Sequence, residues 1–251
     1  MQTPQKHAIF LGTAGYHPSE TRHTSGLFIP DASPDDAFLL DAGSGTFRLI
    51  ERDLPANLHV FLTHAHLDHS MGLTFLFDVA WNRDLKITVY AEKSTLEALD
   101  LLFDSPLFPL PRNFHTQVLE PQNALEIGGA RVSCLDLVHP GGSLGLRFDW
   151  PQKALALITD TIGNDEYFAF LAGVDTLVHE CNFPNRFKKL ADVSGHCTSA
   201  ALVRAARSCG ARQVVATHFN PRTKFDPLLE DDVYAQIPGV VAAFDGLEIE
   251  F

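Results

Sequence analysis

Thr63-His64-Ala65-His66-Leu67-Asp68-His69-Ser70 holds three imidazoles and one carboxylate within six consecutive positions, 64–69. Imidazole nitrogen and carboxylate oxygen are the donors that borderline divalent cations prefer. In an extended loop, side chains two positions apart point the same way, so His64 and His66 are placed to share one ion. Asp68 and His69 follow at a bend and are placed to serve a second ion. Any one of these histidines also reads as an ordinary surface residue; the grouping does not.

Outward from this motif, residues 58–62 form a short apolar run, read as a strand, and Met71, Leu73, Phe75, Leu76 and Val79 follow at helical spacing. The order is strand, ligand-rich loop, helix. It recurs along the chain. Residues 132–138 end at His139-Pro140-Gly141-Gly142, residues 154–158 at Thr159-Asp160-Thr161, residues 174–178 at His179-Glu180, and residues 213–216 at Thr217-His218. Two earlier runs, 7–11 and 37–40, close in Gly-rich turns at Gly12 and at Asp41-Ala42-Gly43-Ser44-Gly45. Every candidate ligand after Asp41 therefore lies just past the carboxyl end of a strand, where α/β sheets present their functional loops. Helices are predicted at 46–52, 94–103, 198–208 and 227–236. Residues 105–112 carry Pro106, Pro109 and Pro111 and read as a surface loop, over a pocket, a partner subunit or its own core.

His-x-His-x-Asp-His, together with Asp41 in LLDAGSG, His139 in VHPGG, Asp160 in ITDT and His218 in ATHF, resembles the metallo-β-lactamase superfamily over nearly the whole chain. The resemblance implies an α/β fold, a four-layer αββα sandwich with the active site at one edge of its two sheets. It also implies two divalent metal ions per subunit. His64, His66 and His139 would hold one and Asp68, His69 and His218 the other, with Asp160 bridging. Two neighbouring cations repel, which a bridging carboxylate and a bridging hydroxide would offset. The donors suit zinc, with manganese, iron and cobalt chemically acceptable. Asp41 is expected to support the ligand loops by fixing an imidazole, with a helix cap as the alternative.

The superfamily hydrolyses lactams, lactones, thioesters and phosphodiesters, so the ligands alone do not choose a substrate. Ser194-Gly195-His196-Cys197-Thr198-Ser199-Ala200-Ala201 looks like the His-Ser-Thr-Ala element of the ribonuclease Z branch, and Val178-His179-Glu180-Cys181 like its His-Glu-Ala-Thr element. Cys197 and Cys181 depart from that pattern, which leaves the histidine and the glutamate intact and the local packing open. Phosphodiester cleavage needs a proton for the departing alkoxide, and a histidine held protonated by a carboxylate supplies one. His196, Glu180 and Asp68 are thus the expected catalytic residues; the alternative for His196 is a cap on the helix near Thr198. Arg222 reads either as a phosphate contact or as a surface arginine.

Ribonuclease Z carries a long tRNA-gripping arm between the positions matching His139 and Asp160, where this chain has only twenty residues. Compact relatives are the phosphoribosyl cyclic phosphodiesterases and the anti-Pycsar cyclic-nucleotide phosphodiesterases. The former usually carry a cysteine-rich zinc site near the N-terminus, and the stretch from Tyr16 to His23 has no cysteine. The reading is a binuclear-metal phosphodiesterase for small cyclic phosphodiesters, cyclic nucleotides foremost, using a metal-bridged hydroxide and His196 as general acid. The alternatives are tRNA 3′ processing and a lactonase or thioesterase. A metal-binding protein that has lost catalysis is a third class, and the complete ligand set argues against it. The resemblance also implies a homodimer.

A length of 251 residues with 45% hydrophobic and 20% charged side chains, and no linker or low-complexity tract, reads as one domain, 1–251. The formal charge of −12 opposes a nucleic-acid partner over most of the surface. An anionic substrate must then be met locally, as bound cations would do. The apolar run at 8–11 is too short for a signal peptide or a spanning helix, so a cytoplasmic location without membrane contact is expected. Cys134, Cys181, Cys197 and Cys209 lack CxxC spacing and read as reduced thiols. His17 and His23 read as loop histidines, and Phe108 and Phe114 as rings available to stack a base or close a pocket.

Overall fold

Ala37, Phe38, Leu39 and Leu40 are all fully buried, so this strand is covered on both faces and must lie inside a layered structure. The computed structural model describes residues 5–222 and 226–251. Its first half contains β1 (His7–Gly12), β2 (Gly26–Ile29), β3 (Asp36–Leu40), β4 (Asn57–Phe61), β5 (Lys86–Ala91) and β6 (His115–Val118). Its second half contains β7 (Leu125–Ile127), β8 (Ala130–Leu137), β9 (Ser143–Trp150), β10 (Lys153–Ile158), β11 (Thr176–Glu180), β12 (Gln213–Thr217) and β13 (Val241–Ala242), and β14 (Glu248–Glu250) follows. The helices are α1 (Leu67–Ser70), α2 (Leu76–Val79), α3 (Lys93–Phe103), α4 (Lys188–Ser194), α5 (Ser199–Cys209), α6 (Pro227–Glu230) and α7 (Val233–Gln236).

Two seven-stranded sheets result, ordered β14-β1-β2-β3-β4-β5-β6 and β13-β12-β11-β10-β9-β8-β7. Period-two alternation divides each strand between layers. Phe38 and Phe61 of the first sheet meet Phe148, Trp150 and Leu155 of the second in the inner layer. Leu39 and Val60 face the other way, towards Leu76, Leu96 and Leu99 of the helices on that side. Ala156, Ile158 and Leu177 likewise face Leu202 and Val203 of α5. This is the four-layer αββα arrangement. Truncating an inner ring such as Phe61 to alanine costs about 3–5 kcal/mol.

Both sheets are parallel where the candidate residues lie. β3 pairs with β4 so that Leu40 is opposite Phe61, and β10, β11 and β12 pair with Ile158 opposite His179 and Glu180 opposite Thr217. The carboxyl ends of these strands therefore line up at one edge. Asp41, the histidine motif, Asp160, Glu180 and His218 emerge there side by side.

Several local details differ from the sequence reading. Residues 44–49 form a 3-10 helix, and α1 starts inside the motif at Leu67, so Asp68 and His69 are helical. The helix predicted over 227–236 is two short helices, because Asp232 adopts φ 51° between them. β11 starts at Thr176 and ends on Glu180 itself, which is thus a strand residue. β9 and β10 are joined by Pro151 and Gln152, with Trp150 paired to Lys153. Residues 105–112 contain no helix or strand, and Phe108 packs on Phe103 at 5.0 Å between centroids. Among the described residues, no helix is long and apolar enough to cross a membrane.

Candidate metal centre

The structure brings all seven expected ligands together. His64, His66 and His139 form one group of converging donor atoms, and Asp68, His69 and His218 another. Asp160 lies between them with one oxygen for each. Its Oδ1 is 3.6 Å from His139 Nε2, and its Oδ2 is 3.2 Å from both His69 Nε2 and His218 Nε2. Asp68 Oδ2 stands 3.2 Å from His69 Nε2 and 3.6 Å from His218 Nε2.

The outward contacts show that these nitrogens suit cations. His69 Nδ1 faces Asp41 Oδ2 at 2.7 Å and His139 Nδ1 faces the Gly195 carbonyl at 2.8 Å. Both partners can only accept, so each Nδ1 carries the proton and, in the neutral ring, Nε2 is a bare lone pair. Those lone pairs point inward at other ring nitrogens: His69 Nε2 lies 3.2 Å from His218 Nε2, and His139 Nε2 lies 3.2 Å from His66 Nδ1. Ring nitrogens and carboxylate oxygens thus converge on one small space, a donor set that a divalent cation satisfies. Burial, reinforced by neighbouring histidines, holds His64 well below its usual pKa, which keeps it neutral and ligand-competent. At His69 burial works the same way, but Asp160, Asp68 and Asp41 outweigh it and push the pKa well above its ordinary value. The residues present therefore fit a pair of divalent cations.

Asp41 is fully buried, with Oδ1 accepting from the Thr63 amide at 2.9 Å and Oδ2 facing His69, so it supports the ligand loop and caps no helix. Asp41, Asp160 and His218 have φ of 58°, 55° and 55°, and Tyr16 has 69°. L-residues rarely adopt this region, and strain of this kind gathers at functional sites.

Beside the cluster, His196 Nδ1 lies 3.2 Å from Glu180 Oε2, while Glu180 Oε1 accepts the Thr161 amide at 2.8 Å. Burial lowers the His196 pKa, but Glu180, then Asp160 and Asp68, prevail and raise it to about 9. The helix-cap alternative falls away, because Thr198 occupies the N-cap of α5 and His196 is bonded to Glu180. Gly195 sets this corner with φ 77°; a Cβ there would lie 2.3 Å from Pro140 Cδ and 2.7 Å from His139 Nδ1.

The chain matches the Beta-lactamase superfamily domain over residues 28–219. It belongs to that superfamily. Ribonuclease Z of Pseudomonas putida (strain GB-1) is 28% identical over 280 positions, covering 87% of this chain and 86% of the relative. Since 87% of 251 residues is about 218, the alignment includes roughly sixty positions without a counterpart here. Among solved structures, the metallo-β-lactamase fold protein YhfI from Bacillus subtilis superposes with TM-score 0.83 at 21% identity, covering 99% of this chain and 100% of that one. A diphosphatase from the PhnP family superposes with TM-score 0.76 at 19% identity, covering 99% and 98%. This metallo-β-lactamase superfamily member is a metal-dependent hydrolase.

The superfamily site opens into a cleft of about 710 Å³, lined on its charged side by His66, Asp68, His139, Asp160 and His196. Several lining residues escaped the sequence reading. The Tyr16 amide donates to Asp68 Oδ2 at 2.7 Å, and Gly15 packs so close to His218 that a Cβ would lie 2.5 Å from the ring. Asn182 donates to the His218 carbonyl at 2.9 Å and accepts from Asn220 at 3.0 Å. Phe183, Phe187 and Leu190 form an apolar wall, and Arg222 stands at the rim. Phe108 and Phe114 are not part of it: both pack on Phe103, at 5.0 and 5.1 Å. His17 and His23 bond to the Pro18 carbonyl and to Ser44 and do not line the cleft. The four cysteines are unpaired thiols, and among the described residues none belongs to a metal-capable group.

Proposed function

We propose that this hydrolase opens small cyclic phosphodiesters, with cyclic nucleotides as the foremost substrates. The observation that carries the reading is the buried Glu180 held 3.2 Å from His196 Nδ1 at the edge of the metal-capable cluster. With Nδ1 turned to a carboxylate, Nε2 is the atom left for the cleft that His196 lines. It donates its proton to the sugar oxygen that leaves phosphorus, so the ring opens with one water consumed. A general acid so placed contributes typically about 10²–10⁴-fold in rate. Glu180 holds the imidazole in that tautomer, and the Thr161 amide holds Glu180.

In this reading His64, His66 and His139 would hold one cation and Asp68, His69 and His218 the other, with Asp160 offering an oxygen to each. Two divalent cations, zinc or manganese by donor type, would supply Lewis acidity, lowering the pKa of water and neutralising phosphate charge. Ribonuclease Z relatives and a diphosphatase of the same fold support phosphate ester chemistry.

The small size of the substrate is supported by the Pro151-Gln152 turn, which fills the place where the resemblance puts a tRNA-binding arm, and by the charge of −12. A homodimer belongs to the same proposal and is read by light scattering. The second reading, tRNA 3′ processing, is favoured by the 28% identity to a ribonuclease Z. A panel of 3′,5′- and 2′,3′-cyclic nucleotides, a 3′-extended tRNA and an acyl ester, assayed with zinc or manganese, separates them. Ring opening with intact tRNA and ester is the expected result. Cleavage of tRNA alone selects the second reading, and turnover of the ester alone overturns both.

A further inference from the structure

Beside its charged residues the cleft has an apolar lining, for which the segment that follows β11 supplies Phe183, Phe187 and Leu190. The Phe183 ring lies 6.4 Å from His196 and 6.4 Å from Phe187, so aromatic surface leads outward from the general acid in two steps. Leu190 is 53% exposed and Phe187 is half-buried, although burying such side chains is favourable.

This wall is tethered. The Asn185 amide donates to Asp231 Oδ2 at 2.7 Å, and Asn185 Oδ1 accepts from the Ala200 amide at 2.9 Å. Arg186 pairs with Glu230 at 2.6 Å and its guanidinium covers one face of the Phe187 ring at 4.4 Å. Phe187 itself is half-buried and lines the cleft. Its position is fixed before a ligand arrives, which lowers the ordering needed on binding.

We propose that Phe187, backed by the buried Phe183, forms a nucleobase subsite, on which the base of the substrate stacks while its phosphate lies at the histidine and aspartate cluster; this rests on the phosphodiesterase reading above. The occupant must be anionic at one end and flat and apolar at the other. It must also carry polar ring edges. The aromatic wall is short and gives way to Asn182, Asn220, Ser194 and Arg222, which suit ring nitrogens and carbonyls and not an alkyl or acyl tail. Ser194 already donates to the Leu190 carbonyl at 2.8 Å and keeps its lone pairs for a donor on the base edge. Stacking tolerates any base, so the subsite selects for a base and not for its identity.

The test uses 2-aminopurine riboside, a nucleoside without phosphate whose fluorescence is quenched by stacking, added to the metal-loaded protein. Quenching is expected in the wild type and in His196→Ala. A loss of affinity of about tenfold is expected in Phe187→Leu, which keeps apolar bulk without a ring, and recovery in Phe187→Tyr. Absent quenching in the wild type, or unchanged affinity in Phe187→Leu, overturns the subsite. A base-free cyclic ribose phosphate is assayed in parallel. Its turnover without any riboside binding sinks the subsite alone, whereas riboside binding lost in Phe187→Leu with no phosphodiester turned over keeps the subsite and sinks the phosphodiesterase reading.

Discussion

Glu180 Oε2 lies 3.2 Å from His196 Nδ1, and the second oxygen of the same carboxylate accepts the Thr161 amide at 2.8 Å. Glu180 ends β11 and Thr161 follows Asp160 beyond β10, so the parallel pairing of these strands fixes the carboxylate before any side-chain choice is made. The histidine comes from another element, the turn between α4 and α5, and meets a partner whose direction is already set.

His196→Ala should therefore lower kcat on cyclic nucleotides by about 10²–10⁴-fold. Glu180→Gln should lower it by less, because the amide still orients the ring without favouring its charged form. Neither change removes a proposed ligand, so metal content measured by plasma mass spectrometry should stay at two ions per chain. Loss of metal in either variant would assign these residues to the ligand set instead.

Chelation tests the cluster as a whole. Ions that bind only the folded chain stabilise it by RT ln(1 + [L]/Kd), about 2.7 kcal/mol at a hundredfold excess over Kd. Removal with EDTA should lower the thermal midpoint and abolish turnover, and added zinc or manganese should restore both. His66 is exposed, so His66→Ala should weaken one ion without unfolding the chain. Scanning calorimetry with metal analysis reads both effects.

Gly195 holds His139 through its carbonyl and stands next to His196. Gly195→Ala places a methyl 2.3 Å from Pro140 Cδ at φ 77°. The expected outcome is a loss of about 1–3 kcal/mol in stability and more than about tenfold in kcat. An alanine variant with wild-type turnover would show that this turn has slack.

Away from the site, Asp36 accepts from Ser33, accepts from Asn57 at 3.0 Å and faces His59 Nε2 at 2.9 Å. Burial opposes its ionisation, yet these bonds outweigh burial and hold its pKa below the ordinary 3.8. The unfolded chain then binds this proton more readily than the folded one. The contribution is complete above the ordinary carboxylate range and drains away as pH falls towards the depressed value. Asp36→Asn should cost about 1 kcal/mol near neutrality and flatten the acid side of the urea midpoint plotted between about pH 3 and pH 7.

The inner layer takes Phe38 and Phe61 from one sheet and Phe148 and Trp150 from the other, so separating the sheets would expose both inner faces. Residues 1–251 should accordingly unfold in one transition by fluorescence and circular dichroism. Two separated transitions would indicate two units.

The metal cluster was legible because its signal is local. Three histidines and an aspartate sit within six positions, and His139, Asp160 and His218 each follow an apolar run. The central strands were legible for the same reason, being buried on both faces. β6 was not, since all four of its residues are exposed and polar or isolated, and β13 and β14 have only two and three residues. The cleft was the hardest part to read. Phe108 and Phe114 read as available to stack a base, whereas tertiary placement packs both on Phe103 and sets Phe183, which no motif singles out, beside His196 with Phe187 next to it. The Tyr16 amide that holds Asp68 is a backbone donor, which every residue but proline carries and no side chain announces.

The most direct measurement compares wild type and His196→Ala on two phosphodiesters with the same metals bound, a cyclic nucleotide whose leaving group is an alkoxide and a 4-nitrophenyl diester whose leaving group needs no proton. The expected result is a loss of about 10²–10⁴-fold on the cyclic nucleotide and little change on the 4-nitrophenyl diester. Equal losses on both substrates, or none on either, would contradict His196 as the group that protonates the leaving oxygen.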